Sequence, residues 1–420
     1  MKPSGIEWIG DIPDDWEVRK LLSLFKEHKD RNKNLEEQNL LSLSYGKIKR
    51  KDINNNDGLL PASFETYNIV EKGDIVFRLT DLQNDKRSLR TGIVTQRGII
   101  TSAYVTIRPK IKLDSRFYHY LYHMYDICKV FYGMGDGVRQ GMGFEELKNI
   151  PTLIPPLKTQ QKIADYLDEK CGEIDATIAK QKESIEKLKA YKQSLISETV
   201  TKGLDKSAPL KPSGIEWIGD IPAHWEVCKI KNHCNLKTGS TPSSKDLSMF
   251  DGAENWFTPS DFTENYMLKN SLRRLNAKVF DQNLVPIFPP LSVLIVGIGA
   301  TTGKVGFTTS KSSSNQQITA IIPKDKNIFP KFLLFWMIAN TKMIRETALF
   351  TTLPILNNDT LGNATLLIPP YKEQLELASY IENKNIEIDV IINKKQNIIQ
   401  KLDAYKKSLI FECVTGKTDL

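Results

Sequence analysis

Polar residues of this 420-residue chain gather in short clusters between apolar runs, and their types suit contact with a polyanion better than bond-making. The first half carries Lys47, Lys49 and Arg50, then Arg78, Thr80, Gln83, Lys86 and Arg87, then Arg139 and Gln140. The second half carries Thr241, Ser260, Thr301, Thr302, Lys304, Asn315, Gln316, Gln317 and Thr352. Lys and Arg neutralise phosphates, whereas Arg, Asn, Gln and Thr can also pair with base edges. A solvated loop has a similar composition, so both readings stay open for the clusters taken alone. The net charge of +8 favours a polyanionic partner mildly.

Patterns that would carry catalysis fail on inspection. The run 297–304, GIGATTGK, approaches a phosphate-binding loop but has Ile298 where that pattern needs Gly. Val305 stands where a Ser or Thr would hold magnesium. His119 and His123 are spaced i, i+4 but lack the Glu of a zinc-protease helix and a third ligand, so they read as a helix surface pair. Ile368-Pro369-Pro370-Tyr371 has the outline of an amino-methyltransferase loop, yet Ile368 cannot accept a hydrogen bond from a target amine. Asp136 with Glu146 and Lys148 is a faint acidic cluster in one half only. The expected cofactor and metal complement of this chain is none.

The elements that position these clusters are repeated. Residues 2–18 read KPSGIEWIGDIPDDWEV and residues 211–227 read KPSGIEWIGDIPAHWEV, identical at 15 of 17 positions. A second pair begins IPPLKTQQKIADYLDEK at Ile154 and IPPYKEQLELASYIENK at Ile368. It continues through EIDATI/EIDVII, KLKAYKQSLI/KLDAYKKSLI and ETVTKG/ECVTGK. The stretches between, about 19–153 and 228–367, do not align by eye. Drift erodes frame and insert alike, so the contrast implies one common job for the frame and two different ones for the inserts.

After each Pro-Pro pair the apolar residues recur every 3.5 positions. The first series is Leu167, Cys171, Ile174, Ile178, Ile185, Leu188 and Leu195. The second is Ile381, Ile388, Ile392, Ile399, Leu402, Leu409 and Cys413. Both predict long coiled-coil helices. Matching polar breaks, Gln181 with Lys395 and Lys192 with Lys406, suggest that the two helices lie against each other. Each would span on the order of 60 Å, paired antiparallel about a pseudo-two-fold axis. The end of the second helix should then meet the first KPSGIEWIGDIP motif, with the termini close together. Trp8, Trp16, Trp217 and Trp225 read as packing between each motif and the helix ends, or as a docking surface.

The inserts read as α/β material with strands near 74–77, 105–107 and 293–296 and helices near 117–128 and 330–344. Final strands follow at 151–154 and 365–368. Five scattered cysteines, with no CxxC pair, argue against a disulfide framework and a structural zinc. No run of eighteen apolar residues spans a membrane, and the N-terminus lacks a signal-like stretch, so the expected location is cytoplasmic.

The combination of PSGIEWIGDIPxxWEV, PP-x-x-x-Q and KLxxYKxSLI, with GKVGFTTSKSSSNQQITAIIP and WFTPSDF in the second insert, closely resembles the specificity subunit of Type I restriction–modification systems. The first insert lacks the Thr-Pro-Ser and Thr-Gly-Lys features of the second. The resemblance implies an α+β fold: two globular α/β target recognition domains separated by an antiparallel two-helix coiled coil. The expected segments are 1–157, 158–203, 204–370 and 371–416. It implies a non-catalytic protein that binds double-stranded DNA and docks two methyltransferase subunits, with restriction (translocase) subunits joining through them. S-adenosylmethionine, ATP and magnesium would belong to those partners. A nucleic-acid-free scaffold and a self-contained nuclease or methyltransferase are the competing classes. A gel shift and a methylation assay on the isolated chain separate them.

Overall fold

The computed structural model describes residues 1–53, 63–82, 89–134, 141–243, 247–324, 326–346, 349–350, 354–418 and 420. The chain forms two compact units, Met1–Lys182 with Gln396–Leu420, and Glu183–Lys395. The units cut across the sequence segments expected above, because each contains parts of both long helices, Leu157–Lys202 and Tyr371–Val414.

In the first unit a four-stranded antiparallel sheet runs in the order Phe25–Glu27, Val105–Pro109, Ile75–Phe77, Thr91–Ile93. In the second unit Cys234–Thr238, Ile318–Pro323, Ser292–Val296 and Val305–Thr308 take the same order, and Met267–Leu268 adds a fifth strand. The inserts that do not align by eye therefore share a topology. Their central strands are buried on both faces, which explains their continuous apolar runs. Ile75 and Phe77 face the helix Ser115–Ile127, while Val76 joins the opposite core. Val293 and Ile295 face the helix Pro330–Glu346, while Leu294 and Val296 point the other way. That division is the period-two alternation of a strand.

One register position shows why the sheets accept a covering layer. Gly92 lies opposite Val76, and Gly306 lies opposite Leu294. A Cβ on Gly92 would stand 2.6 Å from Leu43 Cδ1, and one on Gly306 would stand 2.9 Å from Phe262 Cε1. Both glycines admit a covering side chain that any larger residue would expel.

The repeated frame closes each unit in the same way. Glu17–Lys20 pairs with Pro151–Ile154, and Glu226–Lys229 pairs with Thr365–Ile368 in the same antiparallel register. The Gln of PP-x-x-x-Q is buried at both sites. Gln160 donates to Pro155 O and accepts from Asp114 N, which stands at the N-cap of the helix Ser115–Ile127. Gln374 donates to Pro369 O and Asn327 O and accepts from Phe329 N, next to the helix Pro330–Glu346. This residue thus ties each long helix to its unit's own helix.

In the first unit Leu167, Cys171, Ile174 and Ile178 share a core with Leu409, Ile410, Cys413 and Val414. In the second, Leu195, Ile196 and Val200 share one with Leu377, Ala378 and Ile381. Early residues of one helix meet late residues of the other, so the pairing is antiparallel. Each of the matching lysine breaks meets an aspartate of the other helix. Lys406 meets Asp175 at 2.6 Å and Lys192 meets Asp389 at 2.8 Å, which places each AYK lysine on the EID aspartate of the other helix. Opposing lysines would repel, whereas this arrangement neutralises both.

The second helix ends on the first motif. Gly416, at φ +69°, packs on Pro13 and Trp16, and Lys417 Nζ donates to Asp11 O at 2.8 Å. In the second unit Gly203, at φ +73°, packs on Trp225 and Pro222, and Lys202 Nζ donates to Ile218 O and Asp220 O. Both glycines supply the left-handed residue that terminates a helix. Among the described residues no helix is long and apolar enough to cross a membrane.

Candidate nucleic-acid interface

In the second unit the loops that carry candidate residues leave the sheet at one end. That end is marked by Thr238, Val296 and Ile318, which lie near one another through the Thr238–Thr319 and Val296–Ile318 pairings. Thr241 Oγ1 donates to Gln316 Oε1 at 2.6 Å, joining two of the clusters. Asn315 Nδ2 donates to Gln317 Oε1, and Gln317 Nε2 reaches Ile298 O. Gly297 N donates to Gln317 O at 2.7 Å, so the 297–304 loop is laced to the 315–317 loop. Asn315 N donates to Phe257 O, which brings the Thr258–Ser260 turn to the same end. Ser260 is exposed there, and Asp261 holds the turn through Thr258 N, Thr258 Oγ1 and Leu272 N.

Two candidates in this unit are engaged with backbone. Thr302 is buried and donates to Gly299 O, and Lys304 Nζ donates to Phe262 O at 3.1 Å. Thr301 is half-buried beside them. The loop passes from strand Ser292–Val296 to strand Val305–Thr308, so no helix N-terminus follows it. A phosphate-binding loop requires that terminus, and its likeness to one ends there.

In the first unit Lys47, Lys49 and Arg50 lie on the exposed strand Lys47–Arg50, hairpinned to Leu41–Ser44. Lys47 Nζ also reaches Asp175 on the first long helix at 3.2 Å. Desolvation would raise the Asp175 carboxyl, but Lys406 and Lys47 outweigh it and hold the group below the usual carboxylate range. Arg78 and Thr80 follow strand Ile75–Phe77 at the end equivalent to Val296. Gln83, Lys86, Arg87, Arg139, Gln140 and Thr352 lie outside the described residues, as does Asp136. Glu146 caps its own short helix through Gly143 N, and Lys148 pairs with Glu145, so neither forms an acidic centre.

The histidine pair departs from expectation. His119 and His123 do lie on the helix Ser115–Ile127, but they face a cavity of about 320 Å³ rather than open solvent. The cavity is lined also by Tyr45, Lys47, Asp175 and Lys406. Both Nδ1 atoms are shut off from water without a hydrogen-bond partner. Burial pushes His119 down to about 3, helped by His123. It pushes His123 to about 4, helped by Lys406 and Lys407. Among the described residues no group of three or more His, Cys, Asp or Glu is arranged to hold a metal ion.

Of the seam residues, Leu167, Ile174, Ile178, Ile185, Leu195, Ile381, Ile388, Ile392 and Leu409 are buried, and Leu188, Ile399 and Leu402 are half-buried. Trp16 and Trp225 are buried in equivalent places. Trp8 packs edge-on against Tyr125 and beside Phe411, whereas Trp217 is 39% exposed.

Three features escaped the sequence. Arg90 is a buried guanidinium under the Arg78–Asp81 loop. Shared strand order makes the loop 101–104, before Val105–Pro109, the counterpart of Asn315–Gln317. Arg273–Leu275 pairs antiparallel with Glu254–Phe257, which pairs parallel with Ser312–Ser314. Leu40, at the head of the Leu41–Ser44 strand, bridges in parallel to Ile99, so Arg273–Leu275 is the counterpart of the Lys47–Arg50 strand. Arg273 there stacks over Phe250 and Trp256. Aligning the two inserts on GI at 92–93 and GF at 306–307 would have exposed the last two.

The sequence pattern of the family described as Type I restriction modification DNA specificity domain matches residues 13–189 and 222–402. The chain is 23% identical over 423 residues to the Type I restriction enzyme MjaVIII specificity subunit of Methanocaldococcus jannaschii, covering 97% of this chain and 93% of that subunit. It is 29% identical over 191 residues to the MjaIX specificity subunit of the same organism, covering 44% of this chain and 43% of that subunit. That second match therefore spans less than half of the relative's length. Among solved structures, a chain from work on complex assembly and conformational transition of the type I R-M system superposes with a TM-score of 0.74 at 15% identity, covering 97% of this chain and 100% of that one. The HsdS subunit from Thermoanaerobacter tengcongensis superposes with a TM-score of 0.53 at 14% identity, covering 97% and 98%. At such identities these two carry the fold.

Proposed function

Because the chain belongs to the Type I restriction–modification DNA specificity family, whose members are non-catalytic specificity subunits, we propose that it reads a bipartite, asymmetric target in double-stranded DNA. Each unit reads one half-site, and the long helices set the length of the unread gap. The observation that carries this reading is the placement of the candidate loops. The two sheets have the same strand order, and the Arg78–Thr80 loop leaves the first at the end from which the second unit's described loops leave the other, while Lys47, Lys49 and Arg50 stand on a separate hairpin. Cations lead in the first unit, and amides and hydroxyls lead in the second. Different side chains on one scaffold imply different half-sites, so the target is not palindromic.

The long helices dock two methyltransferase subunits, and restriction subunits join through them. The support is an exposed apolar set on the second helix, Ile386, Val390, Ile391 and Ile398, with Tyr405 matched by Tyr191 on the first. S-adenosylmethionine, ATP and magnesium act in those partners, and the assembly works in the cytoplasm. Phosphate anchoring makes affinity fall steeply with salt.

Mapping methylated sites in cells that express the chain with its methyltransferase tests the reading. The expected result is one motif with two fixed half-sites and a fixed gap. Removing one heptad from the first long helix is expected to change the gap and leave both half-sites. Altered half-sites with the old gap would defeat the ruler. A chain that shifts no DNA with its partner present would defeat the reading as a whole.

A further inference from the structure

Arg90 sits at the start of the outer strand Thr91–Ile93 and is fully buried. Its guanidinium is spread over the backbone of a candidate reading loop. Nη1 donates to Arg78 O at 3.2 Å and Thr80 O at 2.7 Å, and Nη2 donates to Asp81 O at 3.2 Å. Nε donates to Tyr132 Oη at 3.1 Å, in the turn Val130–Gly133. The backbone of Arg90 is fixed as well, by Asp126 Oδ2 at 2.6 Å and by Arg78 N at 2.8 Å. Met142 N donates to Leu79 O, between the carbonyls that Arg90 holds. Asp81 has φ +59°, a left-handed conformation that a non-glycine residue adopts at a cost of about 1 kcal/mol or more.

We propose that Arg90 is a specificity-positioning residue: it touches no DNA, and it imposes the backbone shape that presents Arg78 and Thr80 to the first unit's half-site. The planar fork suits this task, because its N–H groups diverge in fixed directions and reach three carbonyls and a hydroxyl at once. Lys304 is its counterpart in the second unit. Val296 N donates to Lys304 O as Arg78 N donates to Arg90 O. The Lys304 ammonium is a point charge without such a fork, and its bond goes to Phe262 O in a different loop. The two units therefore set their loops by different means from one position.

This proposal rests on the DNA-reading function above, and its test separates the two. The full chain would be co-expressed with its methyltransferase partner and the methylated motifs mapped for wild type, Arg90→Met, Arg90→Lys, Tyr132→Phe, Arg78→Ala and Gln317→Ala. Arg90→Met is expected to lower discrimination about tenfold at the half-site that Arg78→Ala affects, and to leave the gap and the other half-site intact. Arg90→Lys should relax the same half-site less, because charge is kept and the fork is lost. Tyr132→Phe, which removes only one of the four bonds made by the Arg90 guanidinium, should relax it least. If Arg90→Met abolishes all methylation by unfolding the unit, the other two substitutions decide. The proposal is overturned if Arg90→Lys and Tyr132→Phe both leave the half-site as sharp as wild type. It is overturned too if either relaxes the half-site that Gln317→Ala relaxes. A wild-type chain that directs no bipartite methylation would instead sink the function itself.

Discussion

The two units share a sheet order and a closing frame, yet they hold their candidate loops differently. In the second unit the loops are laced to one another by side chains, Thr241 to Gln316 and Asn315 to Gln317. In the first unit the Arg78–Asp81 backbone rests on one buried cation, and the cationic hairpin is tied to a long helix through Lys47 and Asp175. The difference teaches that the scaffold is separable from the way its loops are stiffened. A sheet end tolerates either device, provided the backbone carbonyls and amides there find partners.

The strongest way to break the comparison is at the residues that should be equivalent. Trp16→Ala and Trp225→Ala each remove a buried indole from a helix end and are expected to cost about 3–5 kcal/mol in their own unit. Hydrogen exchange resolved by unit checks this. Equal protection loss in both units after one substitution would mean that the units do not unfold separately.

Acid should then distinguish them. His119 and His123 have folded values below that of an unfolded histidine, near 6.5. Their contribution is fully present above pH 6.5 and is lost as pH falls toward 4, because the unfolded chain takes up protons that the folded pair refuses. At pH 5 the loss is up to about 2 kcal/mol for each histidine. Urea unfolding of the first unit between pH 7 and 5 measures it. His119→Phe with His123→Leu should flatten that slope, and a slope left unchanged would remove the pair from the account.

A smaller effect sharpens the frame. Gln160→Ala and Gln374→Ala each strand a buried N–H and should cost about 1–3 kcal/mol. Gln374 should lie at the upper end, since it makes three bonds to the two of Gln160. Last, Lys189→Ala breaks exposed pairs with Glu264 and Glu186 and should leave the urea midpoint of the second unit where it is.

The frame was legible because repetition marked it and because helix periodicity, Pro-Pro stops and terminal glycines are local signals. The seam was legible for the same reason, although the partner of each lysine was not. Antiparallel register is a long-range property, and the equivalence of Lys192 and Lys406 in the repeat does not disclose that they meet Asp389 and Asp175. The common sheet of the inserts was hidden, since only Gly92 and Gly306 keep identity at the points where the covering layer approaches. Arg90 was hidden more deeply. In the sequence it is one more cation after Lys86 and Arg87, and only burial tells it from a residue that meets solvent.

The first unit contains residues 1–182 and 396–420, whereas the second is the single stretch 183–395. During synthesis, then, the second unit can be complete while the first still waits for the segment that packs on Trp16 and Pro13. The first recognition unit to be translated is the last to be finished. For the time between, its apolar base at Ile6, Ile9 and Trp16 lacks Ile410, Cys413 and Val414, the residues that cover it in the finished chain. Premature termination between residues 396 and 413 would therefore damage the reader encoded at the opposite end of the message.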